Sequence, residues 1–248
     1  MRKRVLNQPI DTFTFNEAAY LARGAFLNPK QLKIITLNPE MIVNALTNIE
    51  FQAAINNANL IVPDGTGIVW AYKTLNKDEE KIERVPGIEL SEKILEFANQ
   101  LKKKVAIFGG KKNVLEKAVE VLQNRYPNIT IVKAIDGYQG IEKDSEIAEE
   151  ISNEEPDLIL VALGSPRQEI WINKYSQLFP KSIMIGIGGS LDVWSGKVKR
   201  APEWFRDNHL EWFYRALTQP KRTTRILKSL PKFVWMVLTL SLRGRTES

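Results

Sequence analysis

The chain has 248 residues, 44% of them hydrophobic and 26% charged, which suffices for one large domain with a real core or a domain carrying an appendage. It holds no cysteine and a single histidine, His209. Disulfides, thiolate metal sites, cysteine nucleophiles, His-rich metal sites and most Ser-His relays are thereby excluded, and carboxylates, amides, hydroxyls and cations remain for chemistry.

The opening MRKRVLNQPID lacks the long apolar core of a secretory signal, and no run reaches the roughly 20 apolar residues a spanning helix needs, so a cytoplasmic location is expected. KIITLN at 33–38 reads as the first strand, and Met41, Ile42, Ala45, Leu46 and Ile49 then recur at helical spacing. NLIVPDGTGIVW at 59–70 follows, an apolar run that stops at Pro63, Asp64 and Gly65 before a helix-like run begins. That pattern places Asp64 at the carboxyl end of a strand, where open α/β sheets put their ligand crevice. A carboxylate there is a candidate catalytic group, although Asp-Gly after a strand also reads as an ordinary turn.

Leu90, Ile94, Phe97 and Leu101 form the next helical stripe, and KVAIFGG at 104–110 the next strand. Val114, Ala118, Val119 and Leu122 follow as a helix, for which Asn113 with Glu116 offers a cap. Strands are then expected at 129–138 (ITIVKAIDGY), 157–165 (DLILVALGS) and 182–190 (SIMIGIGGS). Most of these runs are continuous rather than alternating, as in strands buried on both faces. Strand and helix alternating this way predict an α/β fold with a doubly wound, mostly parallel, Rossmann-like sheet. On one rim of that sheet would lie the turns Asn38-Pro39, Pro63-Asp64-Gly65, Gly109-Gly110, Asp136-Gly137-Tyr138, Gly164-Ser165-Pro166 and Gly188-Gly189-Ser190. Glycine lets a backbone approach a nucleotide closely, yet no stretch matches a P-loop or the dinucleotide fingerprint.

After Ser190 aromatics and cations interleave. From Lys197 onward twelve Lys and Arg stand against four acids, a surplus of eight, so that everything before it carries −2 of the net +6. The ten residues 233–242 contain only Thr239 and Ser241 as polar side chains, and Arg243 and Arg245 follow. Such a segment fits a membrane interface, and equally a terminal helix pair packed on the domain with solvated charges. It also resembles the footprint of a nucleic-acid binder, a reading that leaves the six turns unexplained.

Taken together, ITLNPE (35–40), IVPDGTGIVW (61–70), RVPGIEL (84–90), IFGG (107–110), DGY (136–138), LGSPRQE (163–169) and GIGGSLDVWSGKVKRAPEWFR (186–206) resemble the WecG/TagA/CpsF family of glycosyltransferases. The pieces cover roughly residues 5 to 225 in the family's order, and the tail looks most like the teichoic-acid branch. The resemblance implies an inverting hexosyltransferase without a cofactor, and because the sequence offers no DxD motif and its acids are scattered, no divalent metal is expected. Its donor would be UDP-N-acetylmannosamine and its acceptor the C4 hydroxyl of N-acetylglucosamine on undecaprenyl diphosphate, with N-acetylmannosaminuronate or a hexose as alternative sugars.

Carried onto this chain, the resemblance makes Asp64 the base, with Thr36, Gln168 and Arg84 completing the catalytic set. Substrate contacts are expected from Asn38, Gly65, Thr66, Gly109, Gly110, Gly137, Tyr138, Gly164, Arg167, Gly189 and Asp192. Arg84 and Arg167 read either as phosphate contacts or as cations paired with nearby acids. Residues 1–196 would form the catalytic domain, and 197–248 a membrane-associating appendage whose Arg215, Arg222 and Arg225 contact the leaving diphosphate. The partners expected are the UDP-sugar, the lipid-linked acceptor and the inner membrane surface, with no nucleic acid. An exposed aromatic tail is also able to bury itself in a homo-oligomer.

Overall fold

The computed structural model describes residues 1–76, 82–207, 214, 218 and 220–246; the side chains of 206–207, 220–222, 225 and 243–246 lie outside the description. The chain opens with a hairpin, β1 (Arg2–Val5) and β2 (Gln8–Asp11), paired antiparallel. Its two-residue turn places both Leu6 and Asn7 at positive φ (49° and 66°), the geometry that matches the strand twist. Sequence reading passes over this hairpin because Leu-Asn is a poor advertisement for such a turn.

The body then runs α1 (Phe15–Leu27), β3 (Leu32–Leu37), α2 (Pro39–Ala45), α3 (Ile49–Asn56), β4 (Leu60–Pro63), α4 (Thr66–Leu75) and α5 (Gly87–Gln100). It continues through β5 (Lys104–Gly109), α6 (Lys112–Arg125), β6 (Thr130–Ile135), α7 (Asp144–Ser152), β7 (Leu158–Ala162), α8 (Arg167–Tyr175) and β8 (Ile183–Gly186). Three helices close the description: α9 (Ser190–Trp194), α10 (Glu203–Asp207) and α11 (Pro220–Thr246). The six expected strands are all present and form one sheet in the order β4-β3-β8-β7-β5-β6, every neighbouring pair parallel.

Both faces of the sheet are covered, which is why the central strands read as continuous apolar runs. Ile34, Leu60, Val62, Val105, Ile107, Leu158, Leu160 and Ile183 point into one core with residues of α1, α5 and α6. Ile35, Leu37 and Ile61 point into the opposite core with residues of α2, α3, α4 and α11, while Ala106, Phe108, Ile159 and Val161 meet α7 and α8 there. The β4 edge is closed by the hairpin. Asp11, 4% exposed, accepts from the Ile61 amide at 2.8 Å and from Arg2 Nε and Nη2 at 3.0 and 2.9 Å. Arg2 Nη1 in turn donates to the Ala58 carbonyl at 3.2 Å, so polar groups of an edge strand find partners within the chain.

Two expectations about helices are corrected. The stripe from Met41 to Ile49 is two helices, because the Asn48 side chain accepts from Phe51 N at 2.9 Å and starts α3. Leu46 and Ile49 consequently sit at the junction, 44% and 82% exposed, instead of on a buried face. Asn113 is not the cap of α6: the helix begins at Lys112 behind Lys111, with no side-chain cap.

Candidate functional site

A parallel sheet brings all six strand ends to one rim, and hydrogen bonds gather the loops there into three groups. At the β4 edge, Asp64 N donates to Leu37 O at 2.8 Å and Val85 N to Pro63 O at 2.8 Å, which draws Asp64, Asn38 and the 82–86 segment with Arg84 together. Asp64 is half-buried and directly precedes Gly65 and Thr66 at the start of α4. Asn38 caps α2 through its Oδ1, accepting from Met41 N at 3.0 Å, so its amide nitrogen is the part that remains for a ligand. Thr36 lies one residue short of the end of β3, against Gly87, where a Cβ would approach its Oγ1 to 3.0 Å.

The second group joins β5, β6 and β7. Gly110 N donates to Ala162 O at 3.0 Å and Gly137 N to Gly110 O at 2.9 Å. Gly109 has φ +130°, and a Cβ there would stand 2.4 Å from the Ala162 carbonyl carbon and oxygen, so this crossing admits only glycine. Tyr138 projects from the same rim, 72% exposed. Arg167, on α8 just past Gly164, donates from Nη1 to Gly137 O at 3.2 Å and from Nη2 to Asp144 Oδ1 at 2.9 Å. Of the two readings of Arg167, the structure places it in an ion pair that holds the Asp136-Gly137-Tyr138 turn.

The third group is a buried bracket between β7 and β8. Gln168, 5% exposed, accepts from Gly188 N through Oε1 at 3.0 Å and donates through Nε2 to Glu169 Oε1 at 2.7 Å. Its side chain occupies the space a Cβ on Gly186 would take, at 2.5 Å from Nε2. Gln168 therefore fixes the 187–190 loop from beneath, and Gly189 and Asp192 inherit their positions from it. Asp192 faces Lys197, whose Nζ stands 2.8 Å from Oδ1.

Glu169 escaped the sequence reading, since an acid in the first turn of a helix looks like a solvated one. It is instead 4% exposed, and burial pushes its carboxyl up to about 7, with the Gln168 hydrogen bond pulling the other way. A second omission is the anchor of the 194–200 segment. Glu92 on α5 accepts from Trp194 Nε1 at 3.1 Å and from Arg125 Nη1 at 3.3 Å, and Arg200 pairs with Glu89 at 2.7 Å. Trp194 and Arg200 belong to a motif whose spacing is visible in the sequence, but their partners sit about a hundred positions away.

Among the described residues no group of three or more His, Asp or Glu is placed to hold a metal ion, and no described helix is long and apolar enough to cross a membrane. Arg215 lies outside the described residues, and Arg222 and Arg225 lie on α11 with their side chains outside the description. The helix that bears them packs inward through Phe233 and Val237, both 0% exposed, with Phe233 6.4 Å from Trp70 of α4 between ring centroids. Its outer side shows Leu227, Trp235, Leu238 and Leu242, at 68%, 66%, 49% and 60% exposure, next to the exposed Lys228 and Lys232.

The model of the glycosyl transferase WecG/TagA/CpsF family matches residues 3–247. The chain belongs to this family. It is 41% identical over 224 residues to an N-acetylglucosaminyldiphosphoundecaprenol N-acetyl-beta-D-mannosaminyltransferase of Bacillus spizizenii W23, covering 90% of this chain and 82% of that one. The protein of the same name from Bacillus subtilis 168 is 40% identical over 205 residues, 83% of this chain and 78% of its own. That of Staphylococcus aureus NCTC 8325 is 41% identical over 235 residues, 94% and 91%. The three groups of loops are thus the rim of a glycosyltransferase.

The buried carboxyl gives a stability test. Between the ordinary carboxyl value and about 7 the folded chain keeps a proton at Glu169 that the unfolded chain releases, so stability falls as pH rises across that window and is then level. Glu169→Gln removes the effect. Urea titrations at pH 5 and pH 8 are expected to show wild type losing on the order of 2–3 kcal/mol relative to Glu169→Gln; parallel stabilities at both pH values would contradict the placement.

Proposed function

We propose that the chain transfers N-acetylmannosamine from UDP-N-acetylmannosamine to the C4 hydroxyl of N-acetylglucosamine on undecaprenyl diphosphate, with inversion, as a step of wall teichoic acid synthesis. The observation that carries the reading is the position of Asp64, at one end of a rim whose other end offers glycine loops and Tyr138. Four strand spacings separate β4 from β5, about 19 Å, the reach of a nucleoside diphosphate sugar laid across the rim. The names of the relatives add the class of acceptor and a β-linked product. A β product from a donor whose diphosphate is α-linked requires inversion.

In this reading the uridine end lies by Gly109, Gly110, Gly137, Tyr138 and Asp192, and the sugar lies toward β3 and β4. Asp64 takes the proton of the acceptor hydroxyl as that oxygen attacks the anomeric carbon and UDP departs from the opposite face. Thr36 and the Asn38 amide orient sugar hydroxyls, and Arg84 meets phosphate oxygens. Gln168 acts from beneath by fixing the loop of Gly188 and Gly189. In this reading the departing charge is met by cationic side chains. Arg215, Arg222 and Arg225 of the 197–248 appendage are our candidates for it, positioned when α11 lies on the inner face of the membrane that holds the acceptor. Apolar residues flanked by lysines on the outer side of α11 suit that interface.

Replacing the base should separate binding from turnover. Asp64→Asn is expected to keep UDP affinity within about twofold while kcat falls by roughly 10²–10⁴; a loss of only about tenfold would move the base elsewhere. For the membrane contact, Trp235→Glu with Leu238→Glu exchanges exposed side chains and should leave thermal stability unchanged. Sedimentation with anionic phospholipid vesicles is expected to drop sharply in this double variant, and undiminished sedimentation would remove α11 from the interface.

A further inference from the structure

Beside Asp64 the surface opens into a groove of about 750 Å³ between the outer side of α4 and the segment 82–86. Its inner end is set by Thr66, two residues after Asp64, and by Arg84, next to the Val85 amide that binds Pro63 O at 2.8 Å. Phe15, Trp70 and Pro86 supply apolar wall. Lys73, exposed, stands seven residues beyond Thr66 on the same helix, about 10 Å further out. Two acids also line the groove: Glu83 is exposed, and Glu89 is paired with Arg200 at 2.7 Å.

The sugar and diphosphate of a nucleotide donor are polar, and in the reading above its aromatic base lies at the far end of the rim, by Gly109 and Tyr138. An aromatic and proline wall at the β4 edge therefore suits another ligand. The acceptor class named for the relatives, a sugar on a diphosphate on a polyprenol, is polar at one end and apolar at the other. The groove presents matching features: an end at Thr66, two residues from Asp64, cations at Arg84 and Lys73, and apolar wall beside them. The interval from Asp64 to Lys73 is about that of one hexose and the phosphate beyond it. Trp70 also touches Phe233 of α11, so the wall leads directly to the helix whose other side carries Trp235, Leu238 and Leu242.

We infer that this groove seats the acceptor, with the diphosphate on Lys73 and Arg84 and the first isoprene units against Phe15, Trp70 and Pro86. The inference rests on the transfer reading given above. It divides the rim between two substrates: donor from β5 across to β3, acceptor outside the β4 edge, and Asp64 where they meet. It also assigns Trp70 and Lys73 a selective role, toward the lipid substrate and not toward the nucleotide.

The test uses the full chain and two acceptors that share N-acetylglucosamine diphosphate, one bearing a farnesyl group and one a methyl group. Trp70→Ser should raise KM for the farnesyl acceptor about tenfold and erase the preference for farnesyl over methyl, with KM for UDP-N-acetylmannosamine within about twofold of wild type. Lys73→Ala, at an exposed position, should raise KM for both acceptors alike. Unchanged acceptor KM in both variants, or donor KM rising in parallel, overturns the inference. Calorimetric binding of the farnesyl acceptor without donor distinguishes the two readings. If wild type transfers nothing yet binds this lipid and Trp70→Ser does not, the transfer reading fails and the groove stands; binding undiminished in Trp70→Ser and Lys73→Ala removes the groove.

Discussion

A strand that must be followed by a parallel neighbour can be re-entered only through a crossover that carries the chain back to the other end. Six strands built in this way deliver six carboxyl ends to one edge, whatever the sequence of the loops. The rest of the molecule depends on that constraint. It makes Asp64, Gly110, Gly137, Gly164 and Gly188 neighbours along a rim although more than 120 positions separate the first from the last. Helices on both faces keep the strands dry, and the hairpin with Asp11 closes the edge next to Asp64.

The rim is held from below more than from its sides. Gln168 spans from Glu169 to Gly188 in a space too small for any side chain on Gly186, and Arg167 ties Gly137 to Asp144. Both residues open α8, just after the turn that follows β7 at the middle of the sheet. Their side chains serve the loops on either side of them. A carboxyl with a raised proton affinity is the cost of building that bracket in a buried place, because Glu169 has been taken out of water to receive the Gln168 amide.

Much of this was legible in the chain itself. Strands buried on both faces write themselves as uninterrupted apolar runs, so KVAIFGG and DLILVALGS announced their positions, and the alternation with helical stripes announced a parallel sheet. The turns that end them were legible for the same reason. Features that depend on a distant partner were not. Asp11 reads as one acid in a polar leader until Ile61 and Arg2 are placed beside it, and Glu169 reads as a solvated helix acid until α8 is laid on the sheet. Glu92 receives Trp194 and Arg125 from elements that only the fold brings together. Asn48 interrupted a stripe that periodicity alone would have carried through as one helix.

The site that results has a polar side suited to a nucleotide and an apolar side facing the last helix, with Asp64 between them. On the proposed reading, both substrates meet at this junction, one from solution and one lipid-linked. The most direct measurement is the product itself. Purified chain would be incubated with UDP-N-acetylmannosamine and a short-chain lipid diphosphate of N-acetylglucosamine, and the lipid analysed by mass spectrometry and NMR. The account predicts addition of one N-acetylmannosamine through a β linkage to O4, with UDP released in equal amount; an α linkage, another position of attachment, or release of UDP without modified lipid would contradict it.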